Sequence, residues 1–400
     1  MQQAVSISRV LTVAQRQKIL LLLESARTCE RDFLRGIARY SHLHGPWAFY
    51  RKPKFYLKNH NEGVSLSQIK AFDPDGIIVS DTENFGTILS LGKPTLIHTF
   101  KADTYNSPKI IGDSELTGIM GAEHLMGLGF SNFAYCGLGK YYWSRGRYVS
   151  FRNSIKKAGF DVAYFELSPR QIKNALPKEL QRLARWLTSV IPAGLMTCAD
   201  DCSQYIVEAC KLADIQIPEQ IGFIGVDNDD MVCELSDPPL SSIALDFAKA
   251  GYEAADLLDH LMSDQDAPQK NITVLPSHIV TRASTDILAI DEEDVANAVQ
   301  FIRQHSNRLI QISDVLAKVT CSQRTLHQKF QENLGRSVHQ EIKRVRIERI
   351  AKLLRETDLP ISSIAIKLGY SNINHISRYF QQARNVTPLA YRKQFGHPGR

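Results

Sequence analysis

Residues 361–393 read ISSIAIKLGYSNINHISRYFQQARNVTPLAYRK, and this stretch decides the architecture of the C-terminal quarter. Ile361, Ile364, Ala365 and Leu368 recur at helical spacing. Gly369 interrupts the run, the pair Ser371-Asn372 supplies a helix N-cap, and a second helix follows with Ile376 and Phe380 on its inner face. Two short helices joined by a tight Gly-containing turn form a helix-turn-helix. The outer face of the second helix carries Ile373, Asn374, Ser377 and Arg378, with no acid among them; such side chains suit base edges and phosphates. A helical hairpin that only packs a core would show the same inner face.

A second copy lies upstream. Residues 312–343 read ISDVLAKVTCSQRTLHQKFQENLGRSVHQEIK. Ile312, Ser313 and Lys318 match Ile361, Ser362 and Lys367 at an offset of 49 residues. Leu326, Phe330 and Ser337 match Ile376, Phe380 and Thr387 at an offset of 50, which puts one inserted residue near His375. Two copies of one supersecondary unit in so short a window are hard to obtain by chance. Between them, residues 337–356 carry an apolar stripe (Val338, Ile342, Val345, Ile350, Leu353, Leu354) and a basic outer face (Lys343, Arg344, Arg346, Arg349, Lys352). A single helix of that length holds two units rigidly apart.

The paired motifs, the linking helix and the closing segment FQQARNVTPLAYRKQF resemble the DNA-binding domain of the AraC/XylS family of transcription regulators. Gly369-Tyr370 and the set Phe380, Thr387, Pro388, Tyr391 and Arg392 are the most specific marks. The resemblance implies that both second helices enter successive major grooves of operator DNA. It places base reading on Arg324, His327 and Gln328 in the first unit, and on Ile373, Asn374, Ser377 and Arg378 in the second. The first unit departs from the pattern at Cys321, where it lacks the Gly-aromatic turn.

Charge is distributed accordingly. Of 48 Lys and Arg and 42 Asp and Glu, 18 and 10 fall in residues 291–400, a net of +8, which leaves 30 against 32 in residues 1–290. The tail is therefore the part suited to phosphates. Seven cysteines at scattered spacings argue against a disulfide framework. Cys198 and Cys202 could share a metal but lack a second ligand pair nearby, so no metal and no cofactor is expected. No apolar segment of signal-peptide length precedes Gln17, and no long apolar run follows, so a cytoplasmic chain with no membrane partner is expected.

The front of the chain alternates strands and helices. KILLLL (18–23) reads as a strand buried on both faces. Further strands are expected at 47–51, 76–80, 94–99, 109–112, 132–137, 163–166, 193–197 and 221–226, with helices such as 118–128, 148–158, 180–190 and 203–212 between them. The alternation predicts doubly wound parallel sheets, and the length allows two of them, hence two lobes with a cleft. Ligands of open α/β sheets bind beyond strand ends. Asp200 and Asp201 follow one strand and Asp227 another, while Arg147 opens a helix with Trp143 just ahead. Carboxylates and a guanidinium can take hydroxyls, and an indole covers the CH face of a sugar ring. Asp200 and Asp227 could equally be helix N-caps, Trp143 core, and Arg147 a surface ion-pair partner.

Residues 17–285 are similar to the sugar-sensing core of the LacI/GalR repressors, itself periplasmic-binding-protein-like. The segments FSNFAYCGL, RGRYVSFRNSIKKAGF, MTCADD, IVEACKLADIQIPEQIGFIGVDND and PPLSSIALDFAKAGYEAADLL carry the likeness. It implies effector contacts at Arg147, Asp200 and Asp227, with Phe247 as a ring-face contact and Glu30, at the end of the first strand, as a further polar one. Asp200 stands where that family commonly has Asn. The family's own N-terminal DNA-binding unit is absent from this sequence.

The expected organisation is an N-terminal extension (1–16), an α/β two-lobed periplasmic-binding-protein-like sensor (17–285), a linker (286–294) and an all-α domain (295–400) with helix-turn-helix motifs at 312–333 and 361–383. The extension adds a dimer contact or none. Such a chain is expected to be a sugar-responsive activator, with D-xylose or a similar pentose as effector. Sugar would close the lobes and reposition the DNA-binding domains of a homodimer that meets RNA polymerase. Three alternatives remain: a repressor relieved by ligand, a sugar-delivery protein for a transporter, and a sugar-acting enzyme. The basic repeat opposes the transporter role. The enzyme lacks a phosphate-cradling Gly loop and a nucleophile beside a base.

Overall fold

The computed structural model describes residues 16–23, 25–51, 65–81, 85–99, 107–168, 177–264, 270–286, 292–370 and 372–395. The N-terminal extension up to residue 15, Ser371 and the middle of the expected linker lie outside these. The strands are β1 (Lys18–Leu22), β2 (Ala48–Tyr50), β3 (Gly76–Ser80), β4 (Thr95–His98), β5 (Lys109–Gly112), β6 (Phe133–Gly137), β7 (Val162–Glu166), β8 (Ala193–Thr197), β9 (Ile221–Val226), β10 (Ser241–Leu245), β11 (Ile272–Val274) and β12 (Pro276–Val280). The helices of the front part are α1 (Thr28–His44), α2 (Leu66–Phe72), α3 (Phe85–Leu89), α4 (Ser114–Met126), α5 (Tyr142–Lys157), α6 (Pro177–Val190), α7 (Asp200–Leu212), α8 (Asp230–Leu235) and α9 (Phe247–Ser263). The tail adds α10 (Glu293–Gln304), α11 (Ile312–Leu316), α12 (Gln323–Leu334), α13 (Val338–Glu356), α14 (Ile361–Lys367), α15 (Ile373–Arg384) and α16 (Pro388–Phe395).

The chain forms two compact units, one of Met1–Gly112 with Asp246–Val274, the other of Asp113–Leu245 with Leu275–Arg400. The first holds a six-stranded parallel sheet in the order β11-β5-β4-β3-β1-β2. Its central strands β3 and β4 are buried along their whole length, as strands covered by helices on both faces must be. α1 and α9 cross at backbone contact because each offers a glycine. A Cβ on Gly36 would lie 2.1 Å from Ala248 O, and one on Gly251 would lie 2.0 Å from Phe33 O. Beside the crossing Tyr40 packs edge-on to Tyr252 and donates to Asp259 at 2.8 Å.

The second unit holds a sheet in the order β12-β10-β9-β8-β6-β7, parallel except for β12 against β10. Strands β10, β11 and β12 are absent from the sequence reading: two are polar or interrupted (SSIAL, PSHIV) and one has three residues. Helices α4 to α7 begin three to six residues before their predicted starts, because polar residues such as Tyr142 and Asp200 open them. Among the described residues no helix is long and apolar enough to cross a membrane.

In the tail the repeat extends to individual hydrogen bonds. Ser322 caps α12 by accepting from Thr325 N at 3.2 Å, and Asn372 caps α15 by accepting from His375 N at 3.0 Å. Gly335 (φ 63°) and Asn385 (φ 56°) end those helices in the left-handed conformation. Ser337 then caps α13 and Thr387 accepts from Ala390 N, each at 3.2 Å. The inserted residue falls in the turn between Lys367 and Asn372, not near His375, because the two caps are already in the later register. α13 is one helix shared by two small cores. Val338 and Ile342 pack with Val299, Val315, Leu326 and Phe330, while Ile350 and Leu354 pack with Ile364, Ile376, Phe380 and Tyr391. The expected basic outer face of this helix is only partly outer: Arg346 is buried, and Arg344 is half-buried against the buried Glu341.

Gly251→Ala should lower the melting temperature of the protein, since overpacking a tight helix crossing costs about 1–3 kcal/mol. An unchanged transition in scanning calorimetry would show that the two helices can part to admit the methyl group.

Candidate functional site

Four of the candidate effector residues lie in the second unit around the ends of β8 and β9. α5 begins at Tyr142, so Arg147 sits in its second turn rather than opening it. Trp143 and Arg147 are therefore one turn apart on the same helix face, with the guanidinium carbon 5.0 Å from the indole centroid. Arg147 donates Nη1 to Cys198 O and approaches Asp227 Oδ1 with Nη2 at 3.8 Å. Both side chains are largely buried, at 7% and 14% exposure. Arg147 Nε and Trp143 Nε1 are buried and have no hydrogen-bond partner among the described residues. Buried donors are seldom left unsatisfied, so this pair next to a carboxylate has the composition of a site for a polyhydroxylated ligand.

Neither Asp227 nor Asp200 is an N-cap. α8 is capped by Asp229, whose Oδ1 accepts from Met231 N and Val232 N. Asp227 (φ 102°) and Asn228 (φ 50°) are both in the left-handed region that non-glycine residues rarely occupy. They are held there by Asp227 N to Ile243 O (2.9 Å), Asn228 N to Ser242 Oγ (3.0 Å) and Asp229 N to Asp200 Oδ2 (2.8 Å). Asp200, in the first turn of α7, also accepts from Ser242 Oγ at 2.7 Å and from Cys233 Sγ at 3.5 Å. Its approach requires Gly225, where a Cβ would lie 2.0 Å from Asp200 Oδ1. The carboxyl expected from sequence to meet the effector is thus engaged in shaping the loop that presents Asp227. Its neighbour Asp201 shares the first turn of α7.

Glu30 and Phe247 belong to the first unit. Glu30 lies in the first turn of α1, eight residues beyond β1, rather than at the strand end itself. Phe247 opens α9 with its ring centroid 6.0 Å from that of His98, which also stacks on Phe33 at 5.9 Å. Burial pushes His98 down to about 4, so this imidazole is neutral. Thr99 donates to Asp81 at 2.9 Å beside it. Asp81, His98 and Thr99 are absent from the sequence reading, although all three stand at or just past the ends of β3 and β4. The rule that picked Asp200 and Asp227 finds them too.

The candidate base-reading residues ride on α12 and α15. Arg324, His327 and Gln328 are exposed opposite Leu326 and Phe330, and Ile373, Asn374 and Arg378 are exposed opposite Ile376 and Phe380; Ser377 is half-buried. Gln328 Nε2 donates to Glu332 at 2.8 Å. Where the first turn lacks the Gly-aromatic pair, Asp294 holds it instead, accepting from Thr320 N (2.8 Å) and from Lys329 Nζ (2.8 Å). Lys329 and Thr320 keep the Asp294 carboxyl well below the usual carboxylate range. Asp294, in the first turn of α10, thus fastens the first hairpin from outside it. Cys198 and Cys202 are buried with their sulfurs 3.5 Å apart, and no metal-binding group of three or more His, Cys, Asp or Glu occurs among the described residues.

A profile described as a periplasmic binding protein-like domain matches residues 122–285, and one described as a helix-turn-helix domain matches residues 315–394. The chain is 29% identical over 392 residues to the xylose operon regulatory protein of Haemophilus influenzae, covering 94% of this chain and 98% of that one. The protein of the same name from Escherichia coli K12 is 28% identical over 395 residues, covering 94% and 97%. Among solved structures, the xylose-binding transcription activator XylR superposes with a TM-score of 0.60 at 25% identity, over 96% of this chain and all of that one. The chain is a sugar-sensing transcription regulator of the AraC type, with a periplasmic binding protein-like domain ahead of its helix-turn-helix domain. A ribose-bound LacI-family regulator from Enterococcus faecium (TM-score 0.52, 17% identity, 67% of this chain and 98% of that one) shares the fold of the sensor.

In this regulator, burial pushes the Asp200 carboxyl up from 3.8 to about 8, and the nearby Asp227 adds to the rise against the donors from Ser242, Asp229 and Cys233. A carboxyl raised on folding stabilises the fold fully below its unfolded pKa and loses that contribution as pH climbs through the folded one. Between pH 4 and 8 the sensor should therefore lose stability by about 1 kcal/mol per pH unit from this group. Asp200→Asn, which reproduces the neutral acid's donor and acceptor, should fold and flatten that slope. A variant whose melting temperature keeps the wild-type dependence on pH would show that Asp200 is ionised throughout.

Proposed function

We propose that the effector is a pentose of the D-xylose type and that the sugar-bound protein activates transcription of a sugar-utilisation operon. In this reading Arg147 and Asp227 bind hydroxyls, Trp143 supplies a ring face, Asp200 positions Asp227, and Glu30 and Phe247 are contacts contributed by the first unit. The observation that carries it is two buried donors, Arg147 Nε and Trp143 Nε1, unpartnered among the described residues, with the Arg147 guanidinium beside the Asp227 carboxylate. The names of the relatives support a xylose-type ligand, and the likeness runs through the sensor as well as the DNA-binding domain.

Arg324, His327 and Gln328 read one half-site and Ile373, Asn374, Ser377 and Arg378 the next, with the boundaries 17–285 for the sensor and 295–400 for the reader. The protein acts in the cytoplasm as a homodimer that contacts RNA polymerase, and it turns over no substrate. The effector works only through its differential affinity for two states of the protein, as any ligand must.

Calorimetric titration with D-xylose, L-arabinose, D-ribose and D-glucose tests the ligand, and operator binding with and without sugar tests the response. D-xylose should bind and raise occupancy of the activating site, and Asp227→Ala should abolish the sugar response while basal DNA binding remains. Failure of every pentose to bind, or undiminished sugar affinity in Asp227→Ala, overturns the effector assignment. Arg378→Ala should relax base preference in one half-site by about 1–3 kcal/mol and leave sugar binding intact. An unchanged footprint and preference would remove α15 from the reading surface.

A further inference from the structure

We propose, on the reading of the Asp227 loop as an effector contact, that Arg282 is the positioning residue that ties this loop to the chain leading into the DNA-binding domain. Arg282 follows β12 and directly precedes the 3-10 turn Ala283–Thr285, beyond which the chain runs on toward α10. Its side chain turns back into the sensor. Nη1 donates to Asn228 Oδ1 at 3.0 Å and to Leu240 O at 2.9 Å, and Nε donates to Glu234 Oε1 at 2.7 Å. The guanidinium serves these three acceptors from two separate nitrogens in fixed directions, whereas an ammonium would have to reach all three from one point.

The main chain of Arg282 is equally bound. Its N–H donates to Ser241 Oγ at 2.8 Å, the same hydroxyl meets its carbonyl at 3.0 Å, and that hydroxyl also lies 2.6 Å from Thr285 Oγ1. Ser284 is pinned alongside, donating to Phe223 O at 2.7 Å and accepting from Ser241 N at 2.9 Å. One residue is thus attached through its side chain to the effector loop and through its backbone to the exit from the sensor.

Asn228 is the joint on the loop side. It sits between Asp227 and Asp229 in a left-handed conformation that its surroundings impose. A ligand that changes what Asp227 touches changes the peptide that carries Asn228, and its amide oxygen is a direct partner of the guanidinium. The ion pair with Glu234, which is 62% exposed, does not account for the arrangement, because exposed pairs contribute little.

The test uses the full-length protein with Arg282→Met, Asn228→Ala, the two combined, and Glu234→Gln as control. D-xylose affinity is measured by calorimetry and operator affinity by fluorescence anisotropy with and without saturating D-xylose. Couplings of this kind amount to roughly 5–150-fold. Arg282→Met should hold the sugar dissociation constant within about threefold of wild type yet cut the sugar-induced change in operator affinity to less than about twofold, with the double variant no worse than either single one. Glu234→Gln should keep the full response. Amide exchange in the sugar-free protein gives an independent readout: protection at residues 228–229 and 284–285 should fall together in Arg282→Met. A retained sugar response in Arg282→Met, or exchange that rises in one segment alone, overturns the proposal. Were wild-type protein to ignore D-xylose, the effector reading would fall, while the exchange experiment would still decide whether Arg282 joins the two segments.

Discussion

Arg346 lies midway along the helix shared by the two DNA-reading hairpins, buried, with its guanidinium 4.7 Å from the centroid of Tyr370. It donates to Arg308 O at 2.9 Å, ahead of the first hairpin, and to Leu368 O at 3.2 Å, in the turn of the second. Neither hairpin has enough apolar surface to form a core alone, so each borrows half of α13. A 19-residue helix is roughly 28 Å long, somewhat less than a turn of duplex. The guanidinium fixes the hairpins about that rod through carbonyls that a helix end and a turn would otherwise leave unpaired. Spacing is thus set by helix length and orientation by one buried cation.

The same residue explains why the two copies diverge where they do. Tyr370 belongs under Arg346, and Gly369 (φ 76°) lets the chain turn there. The first turn has no arginine above it and is held from the side by Asp294, with Lys329 closing the pair. Cys321 in place of a Gly-aromatic pair is a change of anchoring, from an arginine above the turn to a carboxylate beside it. Hydrogen-bonded caps at Ser322 and Asn372, and left-handed ends at Gly335 and Asn385, preserve the helices themselves.

Much of this was legible because helix caps, glycine turns and apolar periodicity are local signals. The parallel strands were legible for the same reason: IIV and FIGV have no other comfortable place than between two helical layers. Strand β10 was hidden because its serines serve a network. Ser241 and Ser242 bind Arg282, Thr285 and Asp200, and nothing nearby in sequence signals that. The candidate effector site was half legible. Strand ends point to Arg147, Asp200 and Asp227, yet the different contacts of the two aspartates depend on Gly225 and Ser242 on neighbouring strands. Arg344 was read as part of a solvent-facing basic surface, whereas it closes on the buried Glu341 together with Arg336 from the turn before the helix.

That glutamate bears on how sensor and reader can influence each other. Glu341 is fully buried and meets Arg336 at 2.9 Å and Arg344 at 2.6 Å. Burial alone would raise its pKa, but Arg344, Arg336 and Arg303 outweigh this and hold it below the usual value. Arg336 in turn donates to Gly127 O, at the end of α4, at 2.8 Å. One contact from reader to sensor is therefore a hydrogen bond from a charged group already neutralised on its own side. A guanidinium of this kind can exchange a carbonyl for water at small net cost, whereas opening apolar surface costs about 25 cal/mol for every Å² exposed. A contact of that kind can be broken and remade without exposing apolar surface, which suits a protein whose ligand acts through differential affinity for two states.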